Sequence, residues 1–259
     1  MLLRLESFMG EELLDLLEAR TGLVCAIGAG GKKSTLYRLA GLHPGRVGLT
    51  STVLIPPFRK NLGAYLVIEA EENLLPTVLQ AAAVHRRVAY AQPSEKRGRY
   101  AGVSPALIRE IHRQAGFDAT FVKADGARAR WVKAPADDEP RIPEDADTVI
   151  PVVSARAIGQ PLSERIAHRL DIVEAVAGLR RGETLQPVHI ARLLASEQGL
   201  LKGVGAARVV PVINMVDDPQ QEALALEAAH AALALTLRFD RVVLATMRRL
   251  DAVVRVLHR

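Results

Sequence analysis

Cysteine and aromatic residues are scarce in this chain of 259 residues, which also contains no long basic or apolar run. Its single cysteine, Cys25, excludes an internal disulfide framework and a cluster of cysteine metal ligands. Aromatic residues make up only 4%, too few to predict a base-stacking surface for single-stranded nucleic acid. The net charge is +5, but the lysines and arginines are scattered and form no long basic run, so we do not expect a nucleic-acid partner.

Long apolar runs are absent as well. No stretch reaches the roughly 18 apolar residues that would cross a membrane, and the residues after Met1 do not form the apolar region of a signal peptide. Hydrophobic residues nevertheless make up 49% of the chain, enough for a sizeable core. We therefore expect a cytoplasmic protein with no membrane partner.

Apolar strands alternate with amphipathic helices along the whole chain. This alternation predicts an α/β fold with a mainly parallel sheet, covered by helices on both faces. We assign residues 1–155 to a P-loop-like nucleotide-binding core and residues 156–259 to a smaller C-terminal α/β portion that completes the sheet and the base-binding side. The predicted strands are 23–27, 46–50, 64–69, 86–91, 118–124, 147–153, 207–213 and 241–245. The predicted helices are 6–20, 33–41, 72–83, 104–115, 163–178, 187–197, 219–236 and 248–257.

The glycine-rich turn after the first strand is the most informative feature. Glycines that let backbone amides converge, followed by lysines at the start of a helix, are typical of a phosphate-binding loop, although such a turn also occurs as plain packing. The turn is shorter than a full P-loop, and Lys33 stands where a Ser or Thr would hold Mg²⁺. The predicted cofactor-binding residues are Gly28, Ala29, Gly30, Gly31, Lys32, Lys33, Ser34 and Thr35, with Lys32 neutralising the β- and γ-phosphates.

Two other strand ends supply candidate metal ligands. An apolar strand ending in Lys123-Ala124-Asp125-Gly126 is how P-loop proteins present a carboxylate toward Mg²⁺, and Lys123 would face the same side as Asp125. Thr52, after the second strand, is a second candidate ligand or γ-phosphate contact. Both patterns also occur as ordinary turn or strand-end chemistry.

Asn214-Met215-Val216-Asp217 is similar to the guanine-reading Asn-Lys-x-Asp sequence of GTPases, with Met215 in place of the lysine. Asn214 and Asp217 are therefore the predicted base-binding pair. The alternative is that Asp217 only caps the following helix.

The polar segment 126–146 is longer than an ordinary connection and predicts a functional loop or lid, or else an ordered surface loop. It contributes Arg128 and Lys133 to the candidate substrate-binding residues, with Lys123 and Arg169. The predicted catalytic residues are Lys32, Asp125 and His168. His168 lies on a helix that we expect Ser163 to cap, and it is either an acid–base group or a structural histidine.

These blocks together resemble the YqeC family, whose members are described as selenium-dependent molybdenum hydroxylase accessory proteins. The glycine loop, Ala124-Asp125-Gly126-Ala127 and the block from Lys133 to Pro143 carry the resemblance. It continues through Gly159–Glu164, Gly199–Gly203 and Asn214–Asp217, in the same order over about residues 10 to 220. The resemblance implies a nucleotide-binding protein of molybdenum hydroxylase maturation, with the hydroxylase or its cofactor as partner.

The chain departs from the family pattern at two site positions. Lys33 replaces a threonine and Lys123 replaces a glutamate, which together add about three units of positive charge to the site. Both lysines put a role for Mg²⁺ in doubt, unless they face solvent or pair with Glu69, Glu71 or Glu72. The hypothesis is a GTP- or ATP-binding protein that depends little on metal and hydrolyses slowly or not at all. The alternatives are an NTP-dependent ligase or phosphotransferase, and a delivery or sensing module without turnover.

Overall fold

A ten-stranded sheet with helices on both faces forms the centre of the protein, seen in a computed structural model that describes residues 12–259. The sheet strands are β1 (Gly22–Gly28), β2 (Val47–Ser51), β3 (Tyr65–Ile68), β4 (Arg87–Ala91), β5 (Ala119–Lys123), β7 (Thr148–Ser154), β9 (Arg208–Val209), β10 (Val212–Asn214), β11 (Arg241–Ala245) and β12 (Val253–His258). Two short strands, β6 (Val132–Lys133) and β8 (Ala167–His168), pair separately. The helices are α1 (Lys32–Leu42), α2 (Glu71–Val84), α3 (Pro105–Ala115), α4 (Leu170–Ala177), α5 (Pro187–Ala195) and α6 (Pro219–Leu235), and residues 12–16 are also helical.

The strand order is β12-β11-β10-β7-β1-β5-β2-β4-β3, with β9 beside β7. All neighbours in this sheet are parallel except β12, which runs antiparallel to β11. The predicted α/β fold with a mainly parallel sheet is confirmed. Ligands of such sheets bind beyond the carboxyl ends of the strands, and β1, β5, β7 and β10 end side by side there.

Alternating side chains of β1 enter two different cores. Leu23, Cys25 and Ile27 pack with one cluster, whereas Val24 and Ala26 pack with the other. The second cluster includes residues of α1, and the first includes residues of α2 to α6. A central parallel strand is apolar throughout because both of its faces are buried.

Three predicted elements are wrong in type or extent. Residues 248–257 do not form a helix, because the β-branched Val253, Val254 and Val256 belong to β12, which returns beside β11. The helix predicted over 163–178 begins only at Leu170. The strand predicted over 207–213 is divided into β9 and β10, with Pro211, which lacks an N–H, between them.

Ser163 therefore does not cap the helix that follows. Its carbonyl accepts the N–H groups of Ile166 and Ala167 at 3.1 and 2.9 Å and closes a turn instead. Arg169 holds the N-cap position with a left-handed φ of 61°. The helix predicted over 6–20 lies partly outside the described residues. Within residues 12–259, no helix has the length and apolar character needed to cross a membrane.

Candidate functional site

The turn between β1 and α1 requires glycine at two positions. Gly28 has a φ of 88°, and a Cβ there would lie 2.3 Å from the carbonyl oxygen of Val152. Gly31 has a φ of 141°, and a Cβ there would lie 2.1 Å from Nδ2 of Asn214. Side chains are excluded at both positions by conformation and by space. The turn is consequently held closely against β7 and the end of β10.

The backbone amides of this turn fall into two groups. Those of Gly28, Ala29 and Gly30 donate to Asp125 Oδ2 and to the carbonyl oxygens of Val152 and Arg130, at 2.8, 2.8 and 3.0 Å. The next four amides, of residues 31–34, have no acceptor within the described part of the chain. Because α1 also has no acidic residue in its first turn, its N-terminus presents free N–H groups and positive potential to an anion.

Lys32, the first residue of α1, and Asp125, just after β5, lie side by side. Nζ of Lys32 is 2.7 Å from Asp125 Oδ1 and also donates to the carbonyl oxygen of Gly28. The two residues are 5% and 1% exposed. The Gly28 amide, the Lys32 ammonium and the Asp125 carboxylate thus tie the ends of β1 and β5 to the start of α1.

Lys133 is a second cation on the same carboxylate. Its ammonium group is fully buried, 3.1 Å from Asp125 Oδ2, 2.6 Å from Glu139 Oε2 and 2.7 Å from the carbonyl oxygen of Gly126. Arg169 Nε donates to the same Glu139 oxygen at 3.2 Å. Although burial by itself raises the pKa of Glu139, the hydrogen bonds from Lys133 and Arg169 lower it to about 2.

Lys123 adds further positive charge at this point. It is 7% exposed, donates to the carbonyl oxygen of Leu54 at 3.2 Å, and neither faces solvent nor pairs with Glu69, Glu71 or Glu72. Burial, followed by repulsion from Lys32, lowers its pKa to about 7. Burial and the nearby Arg59 and Arg99 also lower the pKa of the half-buried Lys33.

The environment of the Asp125 carboxylate does not suit a bound Mg²⁺ ion. Both carboxylate oxygens lie within 3.1 Å of an ammonium group, so a cation would have to displace a lysine. The described residues contain no group of three or more His, Cys, Asp and Glu side chains that could hold a metal ion. Thr52 fits a polar ligand better, because its buried Oγ1 has no hydrogen-bond partner in the described chain, whereas the hydroxyls of Thr50 and Ser51 donate to carbonyls.

The remaining predicted residues lie at the margin of this network. His168 is opposite Lys133 in the β6–β8 pair, and burial, Lys133 and Arg169 lower its pKa to about 4. It is therefore neutral near pH 7. Arg128 is exposed, and the hydroxyl of Thr35 donates to the Gly31 carbonyl oxygen at 3.3 Å inside the first turn of α1.

The structure brings Asn214 and Asp217 beside the glycine turn and the start of α1. Nδ2 of Asn214 donates to the Gly30 carbonyl oxygen at 2.8 Å, and its Oδ1 accepts the amide of Met247 at 3.1 Å. Asp217 does not cap α6, since the cap is Asp218, whose Oδ1 accepts the amide of Gln221 at 2.8 Å. A cavity of about 200 Å³ is lined by Asn214, Asp217 and Ser34, among others.

Sequence reasoning did not identify the partners of Asp217. Arg156 contacts its Oδ2 through Nε and Nη2 at 3.0 and 2.6 Å, and the Thr246 hydroxyl donates to Oδ1 at 2.8 Å. Burial alone raises the pKa of Asp217, but the contacts with Thr246 and Arg156 lower it. The polar run Thr246-Met247-Arg248-Arg249 directly after a buried strand was the available signal, and the incorrect helix prediction obscured it.

A wider cavity of about 510 Å³ begins at the same Ser34 and extends along α1. Sequence reasoning missed it entirely, because its walls come from separate parts of the chain. Its lining residues are Ser34, Tyr37, Arg38, Gly41, Arg59, Asn61, Leu62, Arg87, Met247 and Arg248.

Comparison with known proteins identifies the family of this chain. The sequence model of the family described as YqeC protein matches residues 24–171, which include the glycine turn, Asp125 and the polar segment. A protein of Escherichia coli (strain K12), named uncharacterized protein YqeC, is 29% identical over 201 residues, which cover 74% of this chain and 75% of that protein. The chain thus belongs to the YqeC family.

Proposed function

We propose that this protein binds a nucleoside triphosphate, with the phosphates at the N-terminus of α1 and the base in the cavity beside Asn214 and Asp217. The observation that carries the proposal is the set of four amides, those of residues 31–34, which have no acceptor among the described residues and lie at the start of the helix that carries Lys32. Unpaired amides at a helix N-terminus and an adjacent lysine stabilise phosphate charge.

The lysine pair on Asp125 gives the proposal a physical route. When a phosphate attracts Lys32, Lys133 stays on Asp125 and keeps the buried carboxylate neutralised. Lys123 takes up a proton as the anion arrives and adds charge that a metal ion would otherwise supply. We therefore propose binding that needs no divalent metal, together with slow hydrolysis or none.

Lys32→Ala tests this assignment, with the exposed Lys96→Ala as the matched loss of charge. In calorimetric titrations with GTP and ATP, we expect Lys32→Ala to weaken binding at least tenfold, since a charge-assisted hydrogen bond contributes about 1.5–3 kcal/mol. Lys96→Ala should bind as the parent protein does. Equal affinities for all three proteins would remove Lys32 from the site.

For the biological role, we propose an accessory factor in the maturation of a molybdenum hydroxylase, a selenium-dependent one included. The support is the resemblance in the Lys133–Pro143 block, together with family membership. Hydroxylase isolated from cells with and without this chain should differ in cofactor content and activity. Identical enzyme from both sources would contradict this role.

A ligase or phosphotransferase is a second proposal. The observation in its favour is the wider cavity along α1. It shares Ser34 with the cavity beside Asn214 and Asp217, so it has room for an acceptor next to the proposed phosphates. Phosphorus NMR of the protein with nucleotide and a candidate acceptor would reveal a new phosphate signal if transfer occurs. Nucleotide that stays intact, or is only hydrolysed, would exclude it for that acceptor.

A further inference from the structure

We propose that the wider cavity along α1 is a second anion site, for a phosphate monoester that carries a planar organic group. It is formed by one face of α1, the segment 59–62, the start of β4 and the loop after β11. This site uses neither Lys32 nor the amides of the glycine turn, although its cavity shares Ser34, Met247 and Arg248 with the cavity beside Asn214 and Asp217.

The charge of the cavity is the first observation. Arg38, Arg59, Arg87 and Arg248 line it, and no acidic side chain of residues 12–259 does so. Within residues 12–259, none of these four arginines forms an ion pair with a carboxylate. The contacts of Arg38 and Arg87 are to carbonyl oxygens, for example from Arg87 Nη2 to Gly41 at 2.8 Å. The cavity therefore keeps a positive charge that an anion would neutralise.

Unpaired polar atoms are the second observation. Tyr37 is 7% exposed, and its buried hydroxyl has no hydrogen-bond partner in the described chain. Buried Nε atoms of Arg38 and Arg87 also lack an acceptor there. Buried polar groups are nearly always hydrogen-bonded. These three unpaired donors belong to residues that line one cavity, so small rotations of their side chains would bring them to a ligand that accepts hydrogen bonds.

The chemistry of the walls narrows the ligand class. Guanidinium groups donate through a planar fork that matches phosphate oxygens. Leu62, Met247 and the ring of Tyr37 add an apolar surface, and the Arg59 guanidinium lies 5.6 Å from the centre of that ring. A cavity of about 510 Å³ is within the size range of small-molecule sites. A phosphate monoester with a planar group uses both the charge and the apolar surface, whereas inorganic phosphate uses only the charge.

Phenyl phosphate is the probe, titrated into the full chain and followed by NMR or calorimetry. We expect saturable binding that is tighter than that of inorganic phosphate and that persists when GTP or ATP is present at saturation. Arg59→Gln should weaken the binding of phenyl phosphate about tenfold. Arg113→Gln removes the same charge from the last turn of α3, outside the cavity, and should leave this binding unchanged. Lys32→Ala should leave it unchanged.

Tyr37→Phe separates binding from folding. Because the hydroxyl has no partner among residues 12–259, its removal should leave the melting temperature unchanged or slightly higher, while phenyl phosphate binds several-fold more weakly. A lower melting temperature with unchanged binding would overturn the role of this hydroxyl.

Several results would overturn the site itself. They are the absence of saturable binding, equal affinity for inorganic phosphate, equal losses in Arg59→Gln and Arg113→Gln, and displacement of the probe by nucleotide. A loss in Lys32→Ala without a loss in Arg59→Gln would assign the probe to the glycine turn. Probe binding without any nucleotide binding would support this site and contradict only the proposed function.

Discussion

Two lysines share the Asp125 carboxylate, and at the scale of single residues they are not equivalent. Lys133 is fully buried and also holds Glu139 and the Gly126 carbonyl oxygen. Among the described residues, the Lys32 ammonium group contacts only Asp125 and the Gly28 carbonyl oxygen. We therefore assign Lys133 as the structural partner of Asp125 and propose that Lys32 is the lysine that turns to a ligand.

Substitution of each lysine by methionine tests this difference. Lys133→Met leaves two buried carboxylates without their common cation, and we expect it to lower the free energy of unfolding by about 3–5 kcal/mol. Lys32→Met should cost about 1–2 kcal/mol, because Asp125 keeps Lys133 and the Gly28 amide. Urea unfolding of both variants measures the two costs. Equal losses would mean that the lysines have the same role.

Lys123 gives a pH dependence with a definite sign. Its pKa is about 7 in the folded protein, against an ordinary value of 10.5. Between these values the unfolded chain binds the extra proton, so the stability of the folded protein rises with pH across that window. Below pH 7 both states carry the charge, and the full cost of burying it remains.

We therefore expect Lys123→Met to be more stable than the parent protein at pH 6, by about 1–3 kcal/mol, with a gain that shrinks toward pH 10. Urea unfolding at three pH values, with the exposed Lys60→Met as control, measures it. A gain that is constant with pH, or a loss at pH 6, would contradict the assigned cause.

At the scale of elements, the start of α1 depends on glycine. A side chain on Gly31 would have to adopt a φ of 141° and would displace the amide of Asn214. We expect Gly31→Ala to lower stability by about 1–3 kcal/mol and to abolish nucleotide binding.

Gly41, at the other end of the same helix, is the matched control. A Cβ there meets no atom of the described residues within 4 Å, so Gly41→Ala should raise stability by about 0.5–1 kcal/mol. Thermal unfolding and one calorimetric titration of each variant suffice. Similar behaviour of the two alanine variants would show that the turn geometry is not what matters.

The elements also differ in how well they could be predicted from the sequence. The β1–α1 unit and β5 were predictable, because an apolar strand, glycines and a basic helix start are local signals. The strand β12 was not, since its apolar pattern also suits a helix and only its pairing with β11 makes it a strand. Arg169 likewise delays the start of the predicted helix to Leu170, through a left-handed backbone that its residue type does not predict.

At the scale of the whole molecule, the sheet order assembles the candidate site. It sets β1 between β5 and β7, so Asp125 reaches the Gly28 amide, and it brings Asn214 to Gly30 from 184 residues away. These residues could be identified from the sequence as candidates for the site. Their partners could not, because Arg156 on Asp217 and Lys133 on Asp125 follow from strand order and loop packing, which crossover lengths leave open.

We propose that the positive charges of lysines replace a metal ion in phosphate binding by this protein. Calorimetric binding of GTP and ATP to the full chain, once with Mg²⁺ and once with EDTA, tests this. We expect affinities that agree within about threefold, together with proton uptake near pH 8 as Lys123 becomes charged. Binding that disappears in EDTA and returns with Mg²⁺ would contradict it, and would give Asp125 the role of a metal ligand.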